Sequence, residues 1–199
     1  MSIKLLGKQS LVYGFGHVIT RLVTFLLLPL YTNQFTPEQY GIVALFYTFV
    51  PLLNIVVRYG MGAAFLKNYV PANKEDRMSI MTNVIISLVL TGIPFLLLFY
   101  FFRENLSLVF FGVVKPSYVI MMGIIIFLDT IWSIPMLALR AENRPRLFIF
   151  LSFLNVGVTL LCNLVFIIIF KMNIGSIFLS NLIASLIIFI LVLPYIYQR

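Results

Sequence analysis

The stretch Ser10–Tyr31, SLVYGFGHVITRLVTFLLLPLY, decides how this chain is read. Its residues are mostly apolar, and as a helix rising about 1.5 Å per residue they reach about 33 Å, enough to cross a bilayer. Arg21 stands almost at its centre. A cation at that depth costs at least about 2.5–3.5 kcal/mol on insertion scales. A helix serving only as an anchor has no use for it. Arg21 therefore implies that one face of this helix looks onto a polar cavity or a partner charge.

Working outward, five further apolar runs follow, at about residues 41–66, 80–102, 117–139, 147–170 and 175–195. The 199 residues are 62% hydrophobic and 10% charged, with a mean hydropathy of +1.08. A soluble domain is about 45–50% apolar and 25% charged. The expected fold class is an all-α integral membrane protein with six transmembrane helices. The punctuation between them is polar: TNQFTPEQYG with Pro37 and Gly41 as breakers, the charged NYVPANKEDRMS, RAENRPR and KMNIG. RENLSLVFFGVVKP is the exception, because its LSLVFFGV portion is apolar and is expected at the interface or under the bundle. Pro94 is expected to kink the third span.

A formal charge of +8 would suggest a nucleic-acid partner in a soluble chain. In this chain the cations set topology and no nucleic acid is expected. Nine (Lys4, Lys8, Lys67, Lys74, Arg77, Arg140, Arg144, Arg146 and Arg199) fall on one side, and three (Arg103, Lys115 and Lys171) on the other. The nine-residue side is expected in the cytoplasm, with both termini. The N-terminal run is too long for a signal peptide and lacks a small-x-small cleavage site, so it reads as an uncleaved first helix. Cys162 and His17 are each the only residue of their type. Without a phosphate loop, nucleophile elbow or metal-ligand cluster, neither an enzyme nor a metal or cofactor site is expected.

The polar residues inside the spans are spaced as helical stripes. Ser10, Tyr13, His17, Arg21 and Thr24 share a face, as do Asn54 and Arg58, and Asn83, Ser87 and Thr91. Asp129 and Ser133 are four apart beside Trp132; Ser152, Asn155, Thr159 and Asn163 form the fifth stripe; Ser176, Ser180, Asn181 and Ser185 form a weaker sixth. Hydrogen bonding between packed helices accounts for the small residues. It accounts less well for Arg21, Arg58 and Asp129, because ionisable groups at mid-membrane usually face an interior or a hydrated path. An Arg21–Asp129 structural pair is one reading. The other starts from the surplus: two arginines against one carboxylate leave positive charge suited to an anionic guest, since the guanidinium fork matches phosphate and carboxylate. Arg21, Arg58, His17 and Asn54 are the candidate substrate-binding residues. Asp129 is the candidate counter-ion or protonatable coupling site.

The segment KQSLVYGFG, continued by Leu28–Thr32 (LPLYT) and Thr36–Gly41 (TPEQYG), resembles the N-terminal signature of Wzx-type polysaccharide flippases of the MOP exporter superfamily. Tyr59-Gly60 with Ala63, Ala64, Lys67 and Tyr69, and the loop Leu139–Pro145, extend the resemblance over the whole chain. It implies one six-helix lobe of a two-lobed bundle that flips a polyprenyl-diphosphate-linked oligosaccharide from the inner to the outer leaflet of a bacterial cytoplasmic membrane. It also implies alternating access around a cationic cavity, with Arg21 and Arg58 as lining cations. Family members carry two lobes, so a fragment, a separate second lobe or a homo-oligomer is expected. Two alternatives stand beside this reading: a lobe of a cation-coupled multidrug-type antiporter, which would need acidic cavity residues, and a non-transporting membrane scaffold.

Overall fold

The computed structural model describes residues 27–197, and these are helical throughout except for short turns. The elements are α1 (27–34), α2 (Pro37–Arg58), α3 (Met61–Tyr69), α4 (Lys74–Phe101), α5 (Arg103–Phe111), α6 (Pro116–Ala141), α7 (Pro145–Leu164) and α8 (Gly175–Tyr197). A π-helical turn, Val165–Ile169, prolongs α7. Among the described residues five helices are long and apolar enough to cross a membrane. Most of the expected first span lies outside them.

The local chemistry explains where the helices start. Pro37 opens α2 rather than breaking the chain. Thr36 Oγ1 accepts from the Gln39 N–H at 3.4 Å, and Gln39 Oε1 accepts from the Thr36 N–H at 3.2 Å. This capping box satisfies two otherwise orphaned donors, and Pro at the first helical position sacrifices none. The TPEQ segment of the expected loop is thus a helix start. Pro116 and Pro145 open α6 and α7 in the same way. The KEDRMS part of the next expected loop belongs to the first turns of α4.

The second expected span is not one helix. Tyr59 (φ 34°) and Gly60 (φ 83°) both adopt left-handed backbone, which ends α2 and starts α3 at a new angle. That conformation is free for Gly60 and strained for Tyr59.

Packing centres on α6, which contacts α2, α3, α4, α5, α7 and α8. About two thirds of its apolar window is buried inside the protein, against 11–44% for the other four spans. Where α4 crosses α6, Gly92 admits the Phe127 ring so closely that a β-carbon at Gly92 would stand 2.7 Å from Phe127 Cδ2. The LSLVFFGV segment packs under the bundle on one side, with Leu108 and Val109 exposed on the other. It forms most of α5, whose Ser107 and Phe111 are buried. Ser107 Oγ donates to Val113 O at 2.6 Å and accepts from the Lys115 N–H at 2.7 Å, which fastens α5 to the start of α6.

The two ends of the bundle differ. At the end bearing Lys115 and Lys171 the core is aromatic: Tyr118 and Phe178 stack at 4.5 Å, with Phe46 and Phe111 against Phe178. At the opposite, more basic end two cavities open, one of about 320 Å³ with a largely apolar wall and one of about 570 Å³ with a more polar one. A cavity of about 390 Å³ beside Gln34, Gln39 and Lys171 opens at the first end.

Gly92→Ala should destabilise the protein by about 1–3 kcal/mol through overpacking against Phe127. Thermal unfolding in detergent measures this, and an unchanged midpoint would show that the ring turns aside without cost.

Candidate functional site

The site is built on α6 at mid-depth. Asp129 lies near the middle of the Pro116–Ala141 helix, about 18 Å from its basic end at the α-helical rise. Its carboxylate has neutral partners: Oδ1 accepts from Ser185 Oγ at 2.6 Å and from Trp132 Nε1 at 2.9 Å. The sixth stripe thus reaches the fourth through Ser185. Next to Asp129, Thr130 Oγ1 donates to Asn54 Oδ1 at 3.4 Å, so Asn54 is buried against α6.

Arg58 comes to the same depth from the last turn of α2. Its Nη2 donates to the main-chain carbonyl of Asp129 at 3.3 Å, and its Nε is buried without a hydrogen-bond partner among the described residues. Arg58 is half-buried, and leaving its enclosed Nε–H unpaired is costly. The helix break at Tyr59-Gly60 follows directly. Non-helical backbone at membrane depth is tolerated only inside protein or along a hydrated cavity.

A cavity of about 320 Å³ opens at this point, lined by Arg58, Trp132, Arg140, Phe148, Ser152 and Asn155, among others. Two cations line it. Among the described residues that form its wall, none is acidic. Arg140 stands with its guanidinium carbon 5.6 Å from the Phe148 ring centroid, a cation–π approach. The wall is largely apolar, with Met136, Leu137, Leu151 and Val156 beside the aromatic faces, and the guanidinium, amide and hydroxyl groups are set into it. That set suits an anion attached to a polar, ring-bearing body.

Of the residues singled out in sequence, Arg58, Asn54 and Asp129 come together. Arg58 and Asn54 are side by side on α2, and only Arg58 lines the cavity; Asn54 and Asp129 stand behind it. Arg21 and His17 lie outside the described residues. Arg140, Trp132 and Phe148 were missed. Arg140 looked like a loop cation, yet Trp132, Met136 and Arg140 recur every fourth residue on one face of α6, a signal that was available. The α4 stripe does not face inward: Asn83 and Thr91 are exposed, and Ser87 bonds Tyr59 Oη at 2.8 Å. On α7, Ser152, Thr159 and Asn163 each donate to the carbonyl four residues back, which makes much of that stripe self-satisfied.

The profile of the family described as polysaccharide biosynthesis protein matches residues 6–199. The chain belongs to that family. This polysaccharide biosynthesis family member also has the fold of a solved MOP superfamily transporter from Pyrococcus furiosus, at a TM-score of 0.75 and 13% identity. The match covers 95% of this chain and 43% of the archaeal one, so the chain spans less than half the length of that transporter. No curated protein matches it. The fold is that of one MOP-type lobe, and the chain is a multi-pass membrane protein.

Ser185→Ala should cost about 1.5–3 kcal/mol, because it removes a donor from a buried carboxylate. In an Asp129→Ala background the same change should be nearly neutral. A double-mutant cycle on thermal unfolding measures the coupling, and additivity would remove the Ser185–Asp129 bond from the account.

Proposed function

We propose that this chain is one lobe of a transporter that flips a polyprenyl-diphosphate-linked oligosaccharide across the cytoplasmic membrane for surface polysaccharide biosynthesis. The observation that carries the reading is the interior cavity with Arg58 and Arg140 in its wall and no acidic residue among the described lining. A diphosphate is the one strongly anionic part of such a substrate, and paired guanidinium groups match its oxygens. Phe148 and Trp132 offer apolar faces beside them, and Ser152 and Asn155 offer hydrogen bonds to hydroxyl groups.

Alternating access is part of this proposal. The cavity lies toward the side that carries most cations. By the positive-inside rule that basic side is cytoplasmic, so the cavity would receive substrate from the leaflet where it is made. The archaeal transporter is described as having a binding pocket of reverse polarity that suggests a different function. Pocket polarity is therefore the property to weigh within this fold, and here it is cationic. A cation-coupled drug antiporter would require carboxylates in the cavity, and Asp129 is engaged behind it by Ser185 and Trp132. The second lobe, or a second copy, would supply the facing wall. Arg21 is proposed to join Arg58 and Arg140 at the cavity, with His17 one helical turn away.

Arg58→Ala and Arg140→Ala should each lower polymer export at least about ten-fold, the worth of a hydrogen bond to a charged group. Export is read by complementation of a deletion strain, with membrane insertion checked by immunoblot. Arg103→Ala, at the other end, should export normally. Wild-type export by both cavity variants would sink the substrate role.

A further inference from the structure

We propose that the basic end carries a second anion site, separate from the interior cavity, that takes a phosphate group at the membrane surface. A cavity of about 570 Å³ opens there, lined by Tyr69, Lys74, Arg77, Met81, Glu142 and Arg144, together with Met78. Three cations and one carboxylate face it. The carboxylate is already engaged. The Glu142 side chain is 6% exposed, and its oxygens accept from Tyr69 Oη at 2.6 Å and Tyr195 Oη at 2.8 Å. Arg144 Nε approaches it at 3.4 Å.

Arg77 is held in place before any guest arrives. Its Nε donates to Ala72 O at 3.1 Å and its Nη2 to Val70 O at 3.4 Å, and the guanidinium carbon lies 5.3 Å from the Tyr69 ring centroid. An anchored guanidinium loses little freedom on binding, which favours affinity. Its Nη1 and the Lys74 ammonium are left to donate. Glu75 and Asp76, in the same first turn of α4, are absent from the cavity wall. Three positive charges against one negative leave two to be balanced, and a phosphate mono- or diester carries about one to two negative charges. The site stands where α4 and α7 begin, and basic residues at the ends of membrane spans attract anionic headgroups. Cations placed only to set topology need neither a shared cavity nor an anchored guanidinium.

Native mass spectrometry of the purified chain in detergent tests the site with three probes: phosphatidylglycerol, phosphatidylcholine and pyrophosphate. The expected result is retention of phosphatidylglycerol over phosphatidylcholine, weakened about five-fold by Lys74→Ala, one cation's worth near a membrane surface. Arg77→Ala should weaken it at least as much. Lys74 is exposed, so its variant should fold even if Arg77→Ala does not. Arg103→Ala, at the other end of the bundle, should leave this binding unchanged. Displacement of phosphatidylglycerol by pyrophosphate, sensitive to the same variants, would support the site and assign it to soluble phosphates. Binding of both anions that is indifferent to Lys74→Ala and Arg77→Ala, or no binding of either, would overturn the proposal.

Discussion

Every polar group that this chain carries at mid-depth must find its partner inside the protein, because lipid offers none. The fold turns on that constraint. It explains why α6 is the post around which the other helices stand. α6 carries Asp129, Thr130, Trp132 and Ser133, and each is bonded to protein: Asp129 by Ser185 and Trp132, Thr130 by Asn54, and Ser133 by the Thr130 carbonyl. A helix with these residues facing lipid would be costly. Enclosed chiefly by α8, α4 and α2, it becomes the most buried of the described spans.

The same constraint makes Arg58 informative. Its Nη2 is satisfied by a main-chain carbonyl, and its Nε has no partner among the described residues. The α2–α3 break follows immediately, where Tyr59 accepts a strained backbone and Gly60 an easy one. A broken helix, an under-satisfied guanidinium and a cavity thus lie at one depth. The identity of the guest rests on charge: among the described residues, the cavity wall has cations and no acids.

At the basic end Glu142 does a different job. One carboxylate ties the end of α3 through Tyr69 and the end of α8 through Tyr195, and it meets Arg144 at the start of α7. Each donor comes from a different segment, so the carboxylate works as a staple among elements far apart in sequence. Its burial is tolerable because both oxygens are bonded. Removing it would leave two tyrosine hydroxyls and an arginine to find new partners.

By itself the sequence determined the class of protein. Apolar runs long enough for a bilayer, separated by charged turns, admit only membrane helices. The TPEQ segment was legible as a family signature, and structure shows its physical meaning, a capping box with proline at the first helical position. The stripes of Asn54 and Arg58, of Asp129 and Ser133, and of Ser176, Ser180 and Ser185 pointed to the interior because spacing of three and four defines one helical face. The tertiary structure decided which faces meet. The α4 stripe has the same spacing and faces outward, since α4 buries Met81, Leu88, Gly92 and Phe99 instead. Arg140 read as a loop cation, yet α6 runs to Ala141, past the expected end of its span, and carries Arg140 to the cavity wall. Periodicity fixes a residue's angle on its own helix and says nothing of which neighbour that angle faces; only packing supplies the neighbour.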